Sequence, residues 1–238
     1  NIKQLIFYLK YFILIREWFK ESQTTVPEHI DETIYYLGQG YAFVWQNLGA
    51  DILFNGNNNS DNTSFDVYLK KLGYKFNNEN RDFGGYIILR NKKICLAMDA
   101  GSTPDQKYSK DYQSGALSFE IFSSGKKLIS NCGYHKKYNS KFNKLSKSSA
   151  AQNTLVIDDN SSCKFIKINN LLFVKNGLKI IDKNCVYEKN YWKVDASHDG
   201  YLKDYNLIHK REIEFYPEQT IFVGTDKITK KKINHNYK

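Results

Sequence analysis

The residue types best suited to chemistry are concentrated in His198 to Arg211, HDGYLKDYNLIHKR. Imidazole is the side chain whose ordinary pKa lies nearest neutrality, so His198 and His209 are natural proton carriers. Tyr205 adds a phenol. These three are the candidate catalytic residues. Asp199, Tyr201 and Arg211 are candidate binding residues, since imidazole, phenol and cation together suit an acidic sugar. The same stretch also reads as a polar turn held by internal hydrogen bonds beside a buried, satisfied His209. Of the other histidines, His29 lies at a helix start, His235 in a basic tail and His135 in a loop after Asn131–Cys132–Gly133. The first two read as solvated surface. There is no Gly-rich phosphate loop, GxSxG, HExxH or Cys–His metal spacing, which leaves the common nucleotide, serine-hydrolase and zinc-protease signatures without support.

The elements that must hold such residues read as strands. In Asp99 to Gly133, Ala116, Ser118, Glu120 and Phe122 alternate with Leu117, Phe119, Ile121 and Ser123. Apart from Phe122 the apolar residues fall mostly on one face, as pleating requires. Ser123–Ser124–Gly125 supplies a turn. The polar lead-in from Tyr108 to Gly115 sits where a strand begins, a good place for a site on a rigid sheet. From Tyr74 onward the pattern predicts strands over 83–90, 93–99, 116–123, 127–132, 152–158, 163–168, 171–175, 178–183, 185–188, 191–197, 206–216 and 219–224. Short strands separated by turn residues indicate an antiparallel sandwich. Upstream, apolar residues at 2, 5, 6, 9, 12 and 13 predict a helix over Ile2–Glu21. A second helix starts at Pro27 and runs in part toward Leu48, with Ile30, Ile34, Leu37, Phe43 and Val44 as core and Gly38 and Gly40 as weak points. Residues 52–54 read as a short strand and Ser64–Leu72 as a short helix or irregular turn. The fold class is α+β, with one candidate boundary near 49–62: terminal helices over 1–48, a sandwich over 49–238.

Composition bounds the rest. At 238 residues, with 41% hydrophobic and 15% aromatic content, the chain can bury a sizeable core. The formal net charge of +10 suits a polyanion, although the lysines are spread along the chain and only Lys230–Lys232 forms a dense run. No recognition helix or RNP-like aromatic motif points to nucleic acid. Cys95, Cys132, Cys163 and Cys185 lack CxxC spacing, and Cys95 and Cys132 read as buried small hydrophobes. Lys3, Lys10, Arg16 and Glu17 interrupt the first apolar stretch, so no membrane span is expected there. No signal peptide is visible, and a chain opening on Asn1 reads as a piece of a longer protein.

DAG at 99–101, SGALSFE at 114–120, NCG at 131–133, AAQNTLVIDDNSS at 150–162 and HDGYLKDYNLIHKR at 198–211 together resemble the β-sheet region of heparinase II/III-like proteins. GADILFNG at 49–56 resembles that family's join between helices and sheet. The resemblance covers roughly residues 5–228. It implies the end of an α/α toroid followed by an antiparallel β-sandwich that stops before it is complete. It implies a polysaccharide lyase acting by β-elimination on a uronate-containing acidic polysaccharide, in the periplasm or cell envelope. A non-catalytic acidic-glycan-binding or structural protein on the same fold is the alternative. The main catalytic Tyr and an Asn or His would come from the toroid, upstream of residue 1. Asp111 and Tyr112 occupy the lead-in where members carry a further catalytic His, and are candidate substrate-binding residues. Family metal positions fall on Gln113, Asn131 and Gln152; carboxamides are poor zinc ligands. No tight zinc is therefore expected, and the amides would bond one another to hold the strands.

Overall fold

The computed structural model describes residues 2–45, 51–58, 63–138 and 140–231. Three layers stack in it: helices, a five-stranded sheet and a four-stranded sheet. The helical layer is α1 (Ile2–Glu21), α2 (Glu28–Val44) and α3 (Thr63–Lys71). Leu9 and Ile13 on α1 are fully buried against Ile30, Ile34, Phe43 and Val44 of α2, as the helical spacing requires. α2 passes through Gly38 and Gly40 without breaking. Gly38 is needed for close approach, since a Cβ there would lie 2.1 Å from the ring of Phe76. Arg16 ties the helices to the following chain through Asp31 at 2.5 Å and the Tyr74 hydroxyl at 3.3 Å. Phe7, Tyr8, Tyr35 and Tyr36 are exposed.

The five-stranded sheet runs in sequence order: β1 (Asp82–Phe83), β2 (Tyr86–Arg90), β3 (Ile94–Asp99), β4 (Phe119–Ser123) and β5 (Lys126–Ile129). Both of its faces are covered, so period-two alternation divides its side chains between two cores. Ile88, Cys95, Ala97 and Phe122 face the helices. Ile87, Leu89, Leu96, Met98 and Ile121 face the second sheet. Phe122 breaks the sequence pattern because its side of β4 is also an interior. The second sheet has the order β11 (Ile221–Lys230), β10 (Leu207–Tyr216), β9 (Trp192–His198) and β8 (Ile180–Tyr187), all antiparallel. Its inner face contributes Trp192, Val194, Ile213 and Phe215. A separate hairpin, β6 (Lys164–Ile168) and β7 (Leu171–Asn176), covers a small cluster of Tyr112, Ala116, Cys163, Val174 and Leu178. Two short helices, α4 (Lys141–Ser146) and α5 (Leu202–Tyr205), complete the elements. No helix among the described residues is long and apolar enough to cross a membrane.

Several sequence expectations are corrected. Residues 52–54 form no strand; the Leu53 N–H goes instead to the Glu120 carboxylate. β4 starts at Phe119, not 116, because Leu117 takes a positive φ of 60° and interrupts the pleat. The strand expected over 152–158 is absent. Asn153 replaces ladder pairing with its side chain, accepting from the Phe119 N–H at 2.8 Å and donating to the Phe119 carbonyl. The two short strands expected over 178–188 are the single β8, bent by a bulge near Ile180–Asp182. β5 ends at Ile129, which leaves Cys132 outside the strand and exposed; all four cysteines are free thiols. Part of the second helix's expected end (46–48), part of the 55–62 turn, Lys232 and His235 lie outside the described residues.

The segment between α2 and α3 is joined to the sheet through Glu120, which is 0% exposed. Its carboxylate accepts from the Leu53 N–H at 3.0 Å, the Asn131 N–H at 2.9 Å and the Ser130 hydroxyl at 3.0 Å, with Lys127 at 3.6 Å. Burial raises its pKa, and these bonds work against that rise. Replacing Glu120 by Ala strands two buried N–H groups. Glu120→Ala is expected to lose about 3 kcal/mol of stability in urea unfolding, and Glu120→Gln markedly less, since its carbonyl oxygen still accepts.

Candidate functional site

The sequence-predicted residues fall into two places. The first is the inner end of the second sheet. β9 and β10 are paired with His198 opposite His209 and Ala196 opposite Arg211. Counting by twos from Trp192 and Phe215, the inward face passes from apolar side chains to His198, His209 and Arg211. His198 and His209 are each 1% exposed. The Gly200 N–H donates to His198 Nδ1 at 3.0 Å, so His198 Nε2 carries the proton and donates to His209 Nδ1 at 3.2 Å. His209 Nε2 then donates to the Asp226 carboxylate at 2.7 Å. Arg211 meets the same carboxylate with two parallel bonds of 2.8 Å. It also donates to the Leu117 carbonyl at 2.9 Å and the Asn153 carbonyl at 2.5 Å, across the sandwich.

Every ring nitrogen of this pair has an internal partner. Burial, with the nearby His209 and Arg211, lowers the pKa of His198 to about 3. Burial acts to raise Asp226, but the bonds from His209 and Arg211 outweigh it and hold the carboxyl well below its usual range. The neighbouring candidates are occupied similarly. Tyr201 is 1% exposed and donates to the Leu155 carbonyl at 2.7 Å. Tyr205 accepts from the Asn160 amide at 2.7 Å, and Asp199 from the Lys179 N–H at 2.6 Å. His29 and His135 are exposed.

The second place is a groove at the junction of α1 with the five-stranded sheet. Its larger lobe, of about 390 Å³, includes Gln4 of α1, Asn55, Tyr86, Asp99, Lys107, Lys110, Asp111 and Tyr112. A second lobe of about 290 Å³ shares Gln4 and Asp111 and adds Lys3, Tyr134, Lys136 and Tyr138. Of the candidate catalytic and binding residues, only Asp111 and Tyr112 reach it. Lys110 Nζ lies 4.7 Å from the Tyr138 ring centre, and the Tyr138 hydroxyl lies 3.4 Å from Asp111. The bond with the Tyr138 hydroxyl raises the pKa of Lys110. On the floor, Asp99 is 2% exposed and accepts from Asn55 Nδ2 at 2.8 Å and the Gly101 N–H at 3.3 Å. Burial pushes its pKa up to about 7 against those bonds. Sequence reading missed Asn55, Tyr86, Asp99 and the groove lysines. Only Asp99 carried a signal: a carboxylate ending the otherwise apolar run ICLAMD.

The metal positions meet, but not as ligands. Gln113 and Gln152 both donate through Nε2 to the Ser146 carbonyl, at 2.6 and 3.2 Å. Gln113 Nε2 also donates to the Gly133 carbonyl at 3.0 Å, while its oxygen accepts from the Gly56 N–H. Asn131 accepts from the Asn153 N–H at 2.9 Å. The carboxamides thus bond backbone groups and, from Asn131, the Ser118 hydroxyl, rather than one another. With their oxygens at 113 and 131 already taken and no charged donor among them, this set does not fit zinc. No group of His, Cys, Asp and Glu among the described residues could hold a metal ion.

Residues 79–235 match the family described as Heparinase II/III-like, C-terminal. The chain belongs to this family. Heparinase-family structures share its fold. A heparan sulfate lyase, HepC, from Pedobacter heparinus superposes with a TM-score of 0.70 at 12% identity, covering 98% of this chain and 38% of that one. A heparinase III structure gives 0.68 at 17% identity, covering 94% and 38%. The chain therefore spans well under half the length of these solved heparinase-family proteins. No curated protein matches it.

The histidine pair makes a measurable prediction. In the folded heparinase-like sheet His198 stays neutral down to about 3, whereas an unfolded imidazole takes up a proton below about 6.5. Acid therefore favours unfolding through this group. Relative to wild type, His198→Gln should gain about 1.4 kcal/mol per pH unit as pH falls from 6.5 toward 3, read by urea unfolding across pH. A wild-type-minus-variant difference that stays flat over this range would exclude a buried neutral ring.

Proposed function

We propose that this chain is the carboxyl-terminal part of a polysaccharide lyase acting by β-elimination on a uronate-containing acidic polysaccharide, with the polymer lying in the groove beneath α1. The observation that carries this reading is the groove's charge: Lys3, Lys107, Lys110 and Lys136 line its two lobes. The similarity of fold to a protein described as a heparan sulfate lyase supports it. In β-elimination a base removes the proton next to the sugar carboxylate, and an acid protonates the departing glycosidic oxygen. The carbanion-like state forms only where the carboxylate charge is neutralised. Lys110 serves that neutralisation, and Tyr138, between Lys110 and Asp111, is this chain's candidate proton carrier. The remaining Tyr and Asn or His belong to a helical toroid upstream. His198, His209 and Arg211 act on this reading as the frame behind the groove. The periplasm or cell envelope is the proposed location.

The second reading, a non-catalytic acidic-glycan binder, is favoured by one observation. Asp111 occupies the groove where the resemblance implies an imidazole. One experiment separates the two. The intact protein is incubated with heparan sulfate and other uronate polymers while the ultraviolet absorbance of an unsaturated uronate is followed. Rising absorbance is expected. Binding without absorbance supports the second reading, and no binding at all excludes both. Lys110→Glu should weaken polymer binding about tenfold at low salt and less at high salt, measured by titration.

A further inference from the structure

Lys147 lies just after α4, is 1% exposed, and is not part of the groove lining. Its ammonium donates to the Lys110 carbonyl at 2.6 Å and the Tyr112 carbonyl at 2.9 Å. The rings of Tyr134 and Phe165 cover it, with centres 5.4 and 5.2 Å from Nζ. Among the described residues, no carboxylate is bonded to it. Burial lowers its pKa to about 8, with the Asp111 charge working the other way. Burying an ammonium is costly unless its donors are met, and here backbone carbonyls and aromatic faces meet them. The two carbonyls flank Asp111. The Lys147 carbonyl in turn accepts from the Ser114 N–H at 2.9 Å. One residue earlier, the Ser146 carbonyl receives Gln113 and Gln152. Residues 146–147 thus grip 110–114 along its length. Of these two segments, 110–114 is the one that a metal at 113, 131 and 152 would have tied, and the donor set there does not suit a metal.

We propose that Lys147 is a positioning residue for the groove: its buried ammonium, with the Gln113 and Gln152 carboxamides, replaces a metal tie and holds Lys110 and Asp111 toward a uronate-bearing ligand. The ligand half of this statement rests on the function proposed above; the clamp does not. The test is hydrogen exchange of the 110–114 amides in the intact protein, together with binding of heparan sulfate. Lys147→Met should speed exchange in 110–114 while β9 and β10 stay protected, and should weaken binding roughly tenfold. Lys147→Arg should restore part of both. EDTA should change neither in wild type. Unchanged exchange in Lys147→Met, or loosening of 110–114 by EDTA in wild type, overturns the proposal. If Lys147→Met does not fold, Lys147→Gln is read the same way. Failure of both to fold makes Lys147 a residue of the whole fold and overturns the positioning role. Wild-type protein that binds no uronate polymer removes the glycan reading alone, and exchange then decides the clamp.

Discussion

The sandwich depends on a guanidinium that crosses its interior. Two apolar sheets attract without direction, so burial alone leaves their relative slide poorly defined. Arg211 removes that freedom. Asp226 fixes its plane from the neighbouring strand, and its remaining donors reach carbonyls of Leu117 and Asn153 on the opposite layer. The carbonyl of Leu117 belongs to a residue held at positive φ, and Asn153 clamps the first residue of β4. A single side chain therefore sets the start of β4 against the second sheet. Arg211 is itself nearly buried, so an apolar residue in its place would leave the Leu117 and Asn153 carbonyls without their donor.

Charge is distributed with the same economy. The net charge of +10 is spread along the sequence, yet folding gathers lysines from α1, the loop before β4 and the loop after β5 around one groove. Potential in a concave, partly apolar site exceeds that of the same charges on a convex surface. Lys147, from the same basic composition, is turned inward and used as a donor to backbone instead. Identical residue types thus do opposite work, separated only by whether the fold leaves their ammonium in water.

Much of the architecture was legible because period and parity survive without knowledge of partners. The α1 spacing, the strand over 206–216 and the turn at Ser123–Ser124–Gly125 all read through. The misreadings have a common cause. At 152–154 a side chain does the pairing that a backbone ladder would do, and strand propensity cannot register that. At Gly38 a ring far along the chain turns a helix-weakening residue into a requirement. The cluster His198–His209–Arg211 was found, since chemistry-bearing residue types were dense there. Of the groove only Asp111 and Tyr112 were named, because Lys3, Lys107 and Asn55 are ordinary residues until three separate segments bring them together.

The buried histidine and the buried aspartate on the groove floor have a joint consequence. Between roughly pH 4 and 6.5 the chain gives up an imidazole proton when it folds, because His198 is kept neutral. Over much the same interval it takes one up, because Asp99 stays protonated to about 7. The two exchanges cancel through these groups. Mild acidification therefore moves the folding equilibrium little through this pair, and two strongly displaced acid–base groups leave almost no joint trace in it.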